Sequence, residues 1–410
     1  MPDPIPIVRG ESTLLFDESG KSYIDAISSW WVNLHGHAHP YIAQKIYEQA
    51  LRLEQVIFAG FTHQPAVDLA ERLIDILPGN FSKIFYSDNG STATEVAMKM
   101  AIQYWWNQEE PARKKIVALS NSYHGDTFGA MSVSERSVFT LAFRDRLFEV
   151  LFLDPEGDLP PLNLEEVACF IYEPLVQGAG GMKMYGAEWL NSILKKFRDQ
   201  KIICIADEVM TGFGRTGKLF ASEFMQEKPD IICLSKGLTG GTMALGATAC
   251  TDRIYQAYLN DDRSKTFFHG HSFTANPLAC TAALASLHLL GKRECVDRIE
   301  KIISSHKKFA IELQSFSSKK DAGSKERSDK DSGLIKCIRQ TGTILAFEIS
   351  SGRDGWLNNI GSIFTQKSLE SGVYLRPLGN TVYMMPPYCI KDAELEKVYG
   401  SILAILASLE

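Results

Sequence analysis

No run of apolar residues in this chain approaches the length needed to cross a bilayer, and the opening MPDPIPIVRG has neither the basic nor the apolar region of a secretory leader. A cytoplasmic location is therefore expected. Positive charge is not in excess: 43 Lys and Arg stand against 49 Asp and Glu, and a formal net charge of -6 gives no reason to expect nucleic acid or an acidic membrane surface as a partner. Cysteine pairs are missing as well. The eight cysteines are scattered, mostly inside apolar runs, and none stands in a CxxC pair, so they read as reduced core residues and not as a disulfide framework or a zinc site. No internal repeat is present.

What is there is a globular composition, 45% hydrophobic and 22% charged, on 410 residues, which exceeds one ordinary core. Two domains are expected. SKIFYSD, KKIVALSN, VACFIYEP, KIICIADEV and DIICLS read as buried strands, while TEVAMKMAIQYWW and GAEWLNSILKKFRDQ read as helices. This alternation predicts an α/β domain with a mostly parallel sheet over residues 46–284, its functional residues gathered at the strands' carboxyl ends. Residues 1–45, with a hairpin turning at DESG, and 285–410, with a long helical stretch, a strand pair and a terminal helix, are assigned to a smaller α+β domain. The polar segment SFSSKKDAGSKERSDKDSG within it reads as a mobile surface loop without catalytic duty.

Five features carry chemistry. The run DIICLS ends on Lys236 and continues as the glycine-rich KGLTGG; such a lysine either covers apolar surface with its stem or bonds a carbonyl as a Schiff base. After SKIFYSD, Asn89-Gly90-Ser91 opens a helix, which is either an ordinary cap or a phosphate cradle of free amides and hydroxyls. Tyr123 follows the strand KIVALSN, either as a rim aromatic or as a ring to lie on a flat cofactor. Asp207 ends KIICIAD, where a carboxylate is costly unless paired; a salt bridge or a pyridinium nitrogen would serve. Glu173, at the end of CFIYE, is either a helix-capping carboxylate in a loop or a partner for an arginine or a substrate amine. Assembled, these parts suit pyridoxal 5'-phosphate.

Two tempting motifs are set aside. Gly212-Phe-Gly-Arg-Thr-Gly217 matches the dinucleotide pattern but lies several residues past its strand and precedes no helix, so its glycines are expected to shape a loop carrying Arg215. The clusters His35-Gly-His-Ala-His39 and His269-Gly-His271 contain glycine and lack carboxylates at ligand spacing, so no metal is expected.

The ordered blocks SSWWVNLHGHAHP, NSYHGDTFGAMSV, EPLVQGAGGM, ADEVMTGFGRTGKLFA, SKGLTGGTM, HGHSFTANPLAC and LRPLGNTVYMMPP make the chain resemble the class III, fold-type I pyridoxal-phosphate aminotransferases over nearly its whole length. That likeness implies an α/β large domain with a mostly parallel sheet of the seven-stranded type, and a smaller α+β domain. It implies Lys236 as the lysine bonded to the cofactor aldehyde, Asp207 at the pyridine nitrogen, Gly90 and Ser91 at the phosphate, and Tyr123 on the ring. Ser272 would reach the phosphate of a neighbouring subunit, making the active unit a homodimer. Trp30, Trp31, Asp126, Gly270 and Arg376 would bind substrate.

The double tryptophan with LRPLG narrows the resemblance to the branch that aminates 8-amino-7-oxononanoate in biotin synthesis with S-adenosylmethionine as donor. Gly270-His271-Ser272 also occurs in relatives that use lysine. Indole faces suit the substrate's long apolar chain and a guanidinium its carboxylate. Adjacent tryptophans on a strand would point to opposite faces, so only an irregular backbone lets both face a substrate. Relatives usually begin with a His-Pro-aromatic-Thr segment that contributes to the substrate pocket. This sequence starts at Met1-Pro2 without one, so either the start is truncated or other residues close the pocket. The rival readings are an omega-amino-acid or ornithine-type aminotransferase, an isomerase that moves an amino group within one molecule, and a non-catalytic binding protein on the same fold.

Overall fold

The computed structural model describes residues 4–161, 163–321, 334–350 and 358–409. The chain forms two compact units, one of Met1–Ala43, Gly214–Gly217 and His288–Glu410, the other of Gln44–Phe213 and Lys218–Leu287. The excursion of four residues, Gly214–Gly217, into the first unit has no counterpart in a linear division of the sequence.

The second unit is built on a seven-stranded sheet. Its strands are β1 (Phe81–Ser87), β2 (Lys115–Leu119), β3 (Val150–Leu153), β4 (Val167–Tyr172), β5 (Ile203–Asp207), β6 (Ile231–Leu234) and β7 (Gly246–Thr251). They lie side by side in the order β1-β7-β6-β5-β4-β2-β3. Only β7 opposes its neighbours, running antiparallel to both β6 and β1, so the other six point the same way. All six residues of β4 and all five of β5 are buried, which is why these strands read as unbroken apolar runs and not as alternating ones. β3 and β7 are not among the strands expected from apolar runs. VLFL is short, and GATACT is made of small residues that fit a crowded central position without advertising it.

Helix α1 (Gly90–Asn107) shares a buried cluster with this sheet, to which Ala93, Val96, Ala97 and Ala101 contribute from the helix and Ile203, Ile205, Ile231 and Cys233 from the strands. Its Trp105 also donates from Nε1 to the carbonyl of Ala168, 2.8 Å away, so the largest side chain of the helix is polar-satisfied as well as buried. Five of the eight cysteines are buried and all eight are free thiols.

In the first unit, Ile7–Glu11, Leu14–Asp17 and Ser22–Asp25 pair antiparallel, and Val373–Tyr374 adds to the last of them in parallel. The turn at DESG is held by Asp17, whose Oδ1 accepts the N–H groups of Ser19 and Lys21 at 3.0 Å, with Gly20 supplying the left-handed residue at φ 83°. A second sheet joins Ile335–Thr341, Ile344–Ile349 and Thr381–Met384, all antiparallel. The long helical stretch resolves into Pro277–Leu290 and Arg293–Asp321. The polar segment expected as a loop therefore begins as helix: its first seven residues, 315–321, complete Arg293–Asp321. Residues 322–333 of that segment lie outside the described residues. No helix among the described residues is long and apolar enough to cross a membrane.

One histidine inside this unit responds to pH. His306 is fully buried, with Nδ1 2.7 Å from the Tyr399 hydroxyl and Nε2 3.2 Å from the carbonyl of Thr343. A carbonyl only accepts, so Nε2 carries the hydrogen and Nδ1 takes the tyrosine proton, a pattern the neutral ring satisfies. Burial pushes the imidazole down from 6.5 to about 4. The unfolded ring gains its proton near pH 6.5 and the folded ring only near 4, so the neutral ring's contribution is complete above pH 6.5. It is lost as pH falls towards 4, by about 3 kcal/mol in all. His306→Phe should be less stable at pH 7, yet its denaturant midpoint should fall less steeply than the parent's between pH 7 and pH 4. Parallel slopes would assign the acid sensitivity to another group.

Candidate active site

Because β1, β2, β4, β5 and β6 are parallel, their carboxyl ends share one edge of the sheet. To that edge they deliver, in turn, Asn89-Gly90-Ser91, Tyr123, Glu173, Asp207 and Lys236. This is where an open α/β sheet binds its ligands. Lys236 opens a short 3-10 turn, Lys236–Thr239, that closes on left-handed Gly240. The lysine is half-buried and itself has φ 45°, a conformation that costs a non-glycine residue about 1–3 kcal/mol and recurs at functional sites.

Asp207 is 4% exposed and doubly engaged. Its Oδ2 lies 2.7 Å from His124 Nδ1, and its Oδ1 accepts the N–H of Val209 at 3.0 Å. Each carboxylate oxygen has a second lone pair, so a ring nitrogen can still be accommodated. The salt-bridge and cofactor roles of Asp207 are thus compatible. His124, which carries no assignment from sequence although it follows Tyr123 directly, is also buried and donates its backbone N–H to Ser134 Oγ, while its Nε2 has no protein partner.

Glu173 caps no helix; it holds loop backbone. Its Oε1 accepts the N–H of Tyr123 and its Oε2 that of Gly178, both at 2.9 Å, so one buried carboxylate ties together the loops after β2 and β4. Burial pushes its pKa up to about 7; His124 and the two backbone donors pull against that rise, and the nearby Asp207 adds to it. Tyr123 keeps its phenolic proton firmly, chiefly through burial and next through its contact with the exposed Asp126 carboxylate.

The start of α1 has the features of an anion cradle. Asn89 and Thr92 form a reciprocal cap, with Asn89 Oδ1 accepting the N–H of Thr92 at 3.0 Å and Thr92 Oγ1 that of Asn89 at 3.1 Å. Helix geometry leaves the N–H groups of Gly90 and Ser91 without an intrahelical acceptor. A Cβ on Gly90 would lie 2.8 Å from Val209 Cγ1, so the helix start packs against the residue two beyond Asp207. A Cβ on Gly125 would fall 2.1 Å from Ser91 Oγ, and Asp126 donates its N–H to that same oxygen at 3.3 Å. The tyrosine loop and the cradle therefore meet at a place where only glycine fits. The loop of Gly270 and Ser272 approaches the same cradle: His271 Nε2 is 3.9 Å from Asp88 Oδ1, which in turn accepts from Thr92 Oγ1. The carbonyl of Ser272 is held by Gln55 Nε2 at 2.6 Å.

The first unit holds the remaining candidates. Trp30 is 56% exposed with the guanidinium of Arg376 stacked 4.1 Å from its ring centroid, whereas Trp31 is buried and donates from Nε1 to the Tyr383 hydroxyl at 2.9 Å. The backbone that carries them is irregular, with positive φ at Ser28, Ser29 and Trp31. Arg215 is buried in this unit, donating to the carbonyls of Pro386 and Trp31 and lying 5.1 Å from the Tyr388 ring centroid. Residues 212–217 form turns, not the strand-to-helix junction a dinucleotide motif requires. Among the described residues no group of three or more His, Cys, Asp or Glu is placed to hold a metal ion. His37 instead faces Asp25, and His269 faces Lys99.

Residues 1–406 match the family model described as aminotransferase class-III. The chain is 45% identical, over 99% of its length and 95% of the relative's, to the adenosylmethionine-8-amino-7-oxononanoate aminotransferase of Synechococcus elongatus. It is 36% identical to the enzyme of that name from Helicobacter pylori, covering 99% of this chain and 92% of the other. The crystal structure of the Methanocaldococcus jannaschii adenosylmethionine-8-amino-7-oxononanoate aminotransferase superposes with a TM-score of 0.90 at 34% identity, covering 99% of this chain and 93% of that one. A PLP-bound amine transaminase from an uncultivated Pseudomonas species superposes with a TM-score of 0.89 at 28% identity, covering 99% and 95%.

Glu173→Gln puts an amide NH2 where one of two backbone N–H groups needs an acceptor, at a cost of about 1 kcal/mol. Pyridoxal phosphate should then leave the variant roughly five-fold more readily on dialysis, read from loss of its visible absorbance. Retention equal to the parent's would show that the Tyr123 loop does not depend on this carboxylate.

Proposed function

Because the chain belongs to the class III aminotransferases, we propose that it transfers an amino group to 8-amino-7-oxononanoate, giving 7,8-diaminononanoate in biotin synthesis, with S-adenosylmethionine as donor. The observation that carries the reading is the convergence of Lys236, Asp207, Tyr123 and the capped start of α1 on one edge of the parallel sheet. The names of the relatives support the choice of substrates.

Pyridoxal phosphate, when bound, supplies an aldehyde that takes up the amino group and a ring that accepts the electrons of the broken C–H bond. The protein's residues do the rest. Gly90 and Ser91 hold the phosphate with N–H groups at the positive end of α1. Asp207, oriented by His124, would hold the ring nitrogen and Tyr123 would offer its ring to the cofactor's. Lys236 Nζ would bond the cofactor at rest and, once free, would move a proton from the donor carbon as general base and acid. The second half-reaction runs the same roles backwards. By the family likeness, Arg376 would pair with the acceptor's carboxylate, Trp30 and Trp31 would bind its apolar chain, and Asp126 and Gly270 would serve its amine end. Ser272 serves the phosphate of a second copy, so the working unit is a homodimer, in the cytoplasm. Gly270-His271-Ser272 is the feature that keeps lysine as an alternative donor.

Single-turnover absorbance tests the reading. S-adenosylmethionine should bleach the aldehyde form of the holoenzyme, and 8-amino-7-oxononanoate should restore it. Bleaching by L-lysine alone would keep the acceptor and change the donor. Bleaching by neither would favour an omega-amino-acid substrate. Lys236→Ala should lose turnover and the borohydride-reducible link to the cofactor; turnover retained would remove Lys236 from the chemistry.

A further inference from the structure

The two tryptophans sit on a backbone that their own residue types disfavour. Ser28, Ser29 and Trp31 have φ of 55°, 59° and 68°, and none is glycine. Ser29 combines its φ with a ψ of -95°, close to a strained three-residue turn. Such a run persists only where its surroundings over-determine it.

The group that does so is Asp25, the last residue of the strand Ser22–Asp25 and fully buried. Its Oδ1 accepts the N–H of Ile27 at 3.1 Å. Its Oδ2 accepts the N–H of Ser29 at 2.6 Å and lies 3.3 Å from Ser29 Oγ and 2.9 Å from His37 Nε2. Asparagine could not replace it, because its NH2 would face a donor where Asp25 presents a second oxygen. His37 is fixed in turn by reciprocal backbone bonds with Ser12, at 3.2 and 2.6 Å, and by Gly10, on which a Cβ would lie 2.6 Å from His37 Cβ. On the other side Ser28 Oγ donates to the carbonyl of Met385 at 2.8 Å, and Met385 donates its N–H to Ala26 at 2.9 Å. Asp25 is thus the shared acceptor between a fixed histidine and the strained turn.

We infer that Asp25, supported by His37, is a positioning residue that sets Trp30 and Trp31 and so determines affinity for the long-chain amino acceptor. Neither group touches the reacting atoms. The inference rests on the proposed substrate role of the two tryptophans and Arg376.

The test uses the holoenzyme. Asp25→Asn and His37→Phe should raise the KM for 8-amino-7-oxononanoate about tenfold, with kcat within twofold and the cofactor spectrum unchanged. His37→Gln, which keeps a donor near the Nε2 position, should restore KM to within threefold. If Asp25→Asn does not fold, the His37 pair carries the test. An unchanged KM in both variants overturns the inference, as does a joint fall of kcat and cofactor absorbance. A readout without substrate separates this from the proposed function. The emission difference between the parent and Trp30→Phe should shift when both also carry His37→Phe, even if the parent fails to aminate 8-amino-7-oxononanoate. No shift sinks the inference by itself.

Discussion

The candidate site depends on giving partners to one carboxylate in an apolar interior. Asp207 ends a strand with no solvent on either face, and an unpaired charge there would destabilise the fold by several kcal/mol. The 2.7 Å contact with His124 and the N–H of Val209 make the position tolerable. They also orient the two oxygens. From that requirement follows much of the surrounding design: the loop after β2 must bring His124 to Asp207, and Tyr123 comes with it. Val209, held by Asp207, then sets how closely the start of α1 can approach, and only glycine at 90 permits it.

Buried carboxylates play a second part throughout the chain, as clamps on irregular backbone. Glu173 joins two loops through Tyr123 and Gly178. Glu208 holds the N–H groups of Ala221 and Ser222 and the hydroxyl of Thr211. Asp25 does the same for the double-tryptophan turn. In each case two oxygens satisfy several donors that a strand or helix would otherwise have paired. Glu173 thereby holds the loop of Tyr123, and Asp25 opposes the strain at Ser28, Ser29 and Trp31.

Much of this was legible before any coordinates. Strands buried on both faces read as apolar runs, and the catalytic candidates stood at their ends. The helix start at Asn89 announced its cap. Local signals failed where a residue's meaning lay in its partner. GATACT is a central strand because small residues fit between β1 and β6, which no pattern within those six residues reveals. The histidines at 35–39 gave no hint that His37 pairs with Asp25. Glu173 could have served substrate or backbone, and only its two donors decide for the backbone.

By itself the sequence determined the element types, the lysine and aspartate at strand ends, and the cradle at the start of α1. Those are properties of short stretches, set by periodicity, capping and the cost of burying charge. The tertiary structure alone decided the strand order, the single antiparallel member, and the pairing of His124 with Asp207 across 83 residues. It also decided that Trp31 is buried while Trp30 lies under Arg376. These outcomes depend on which groups meet across the fold. Burial leaves a polar group no water to turn to, so most pair with whatever group the chain's path supplies.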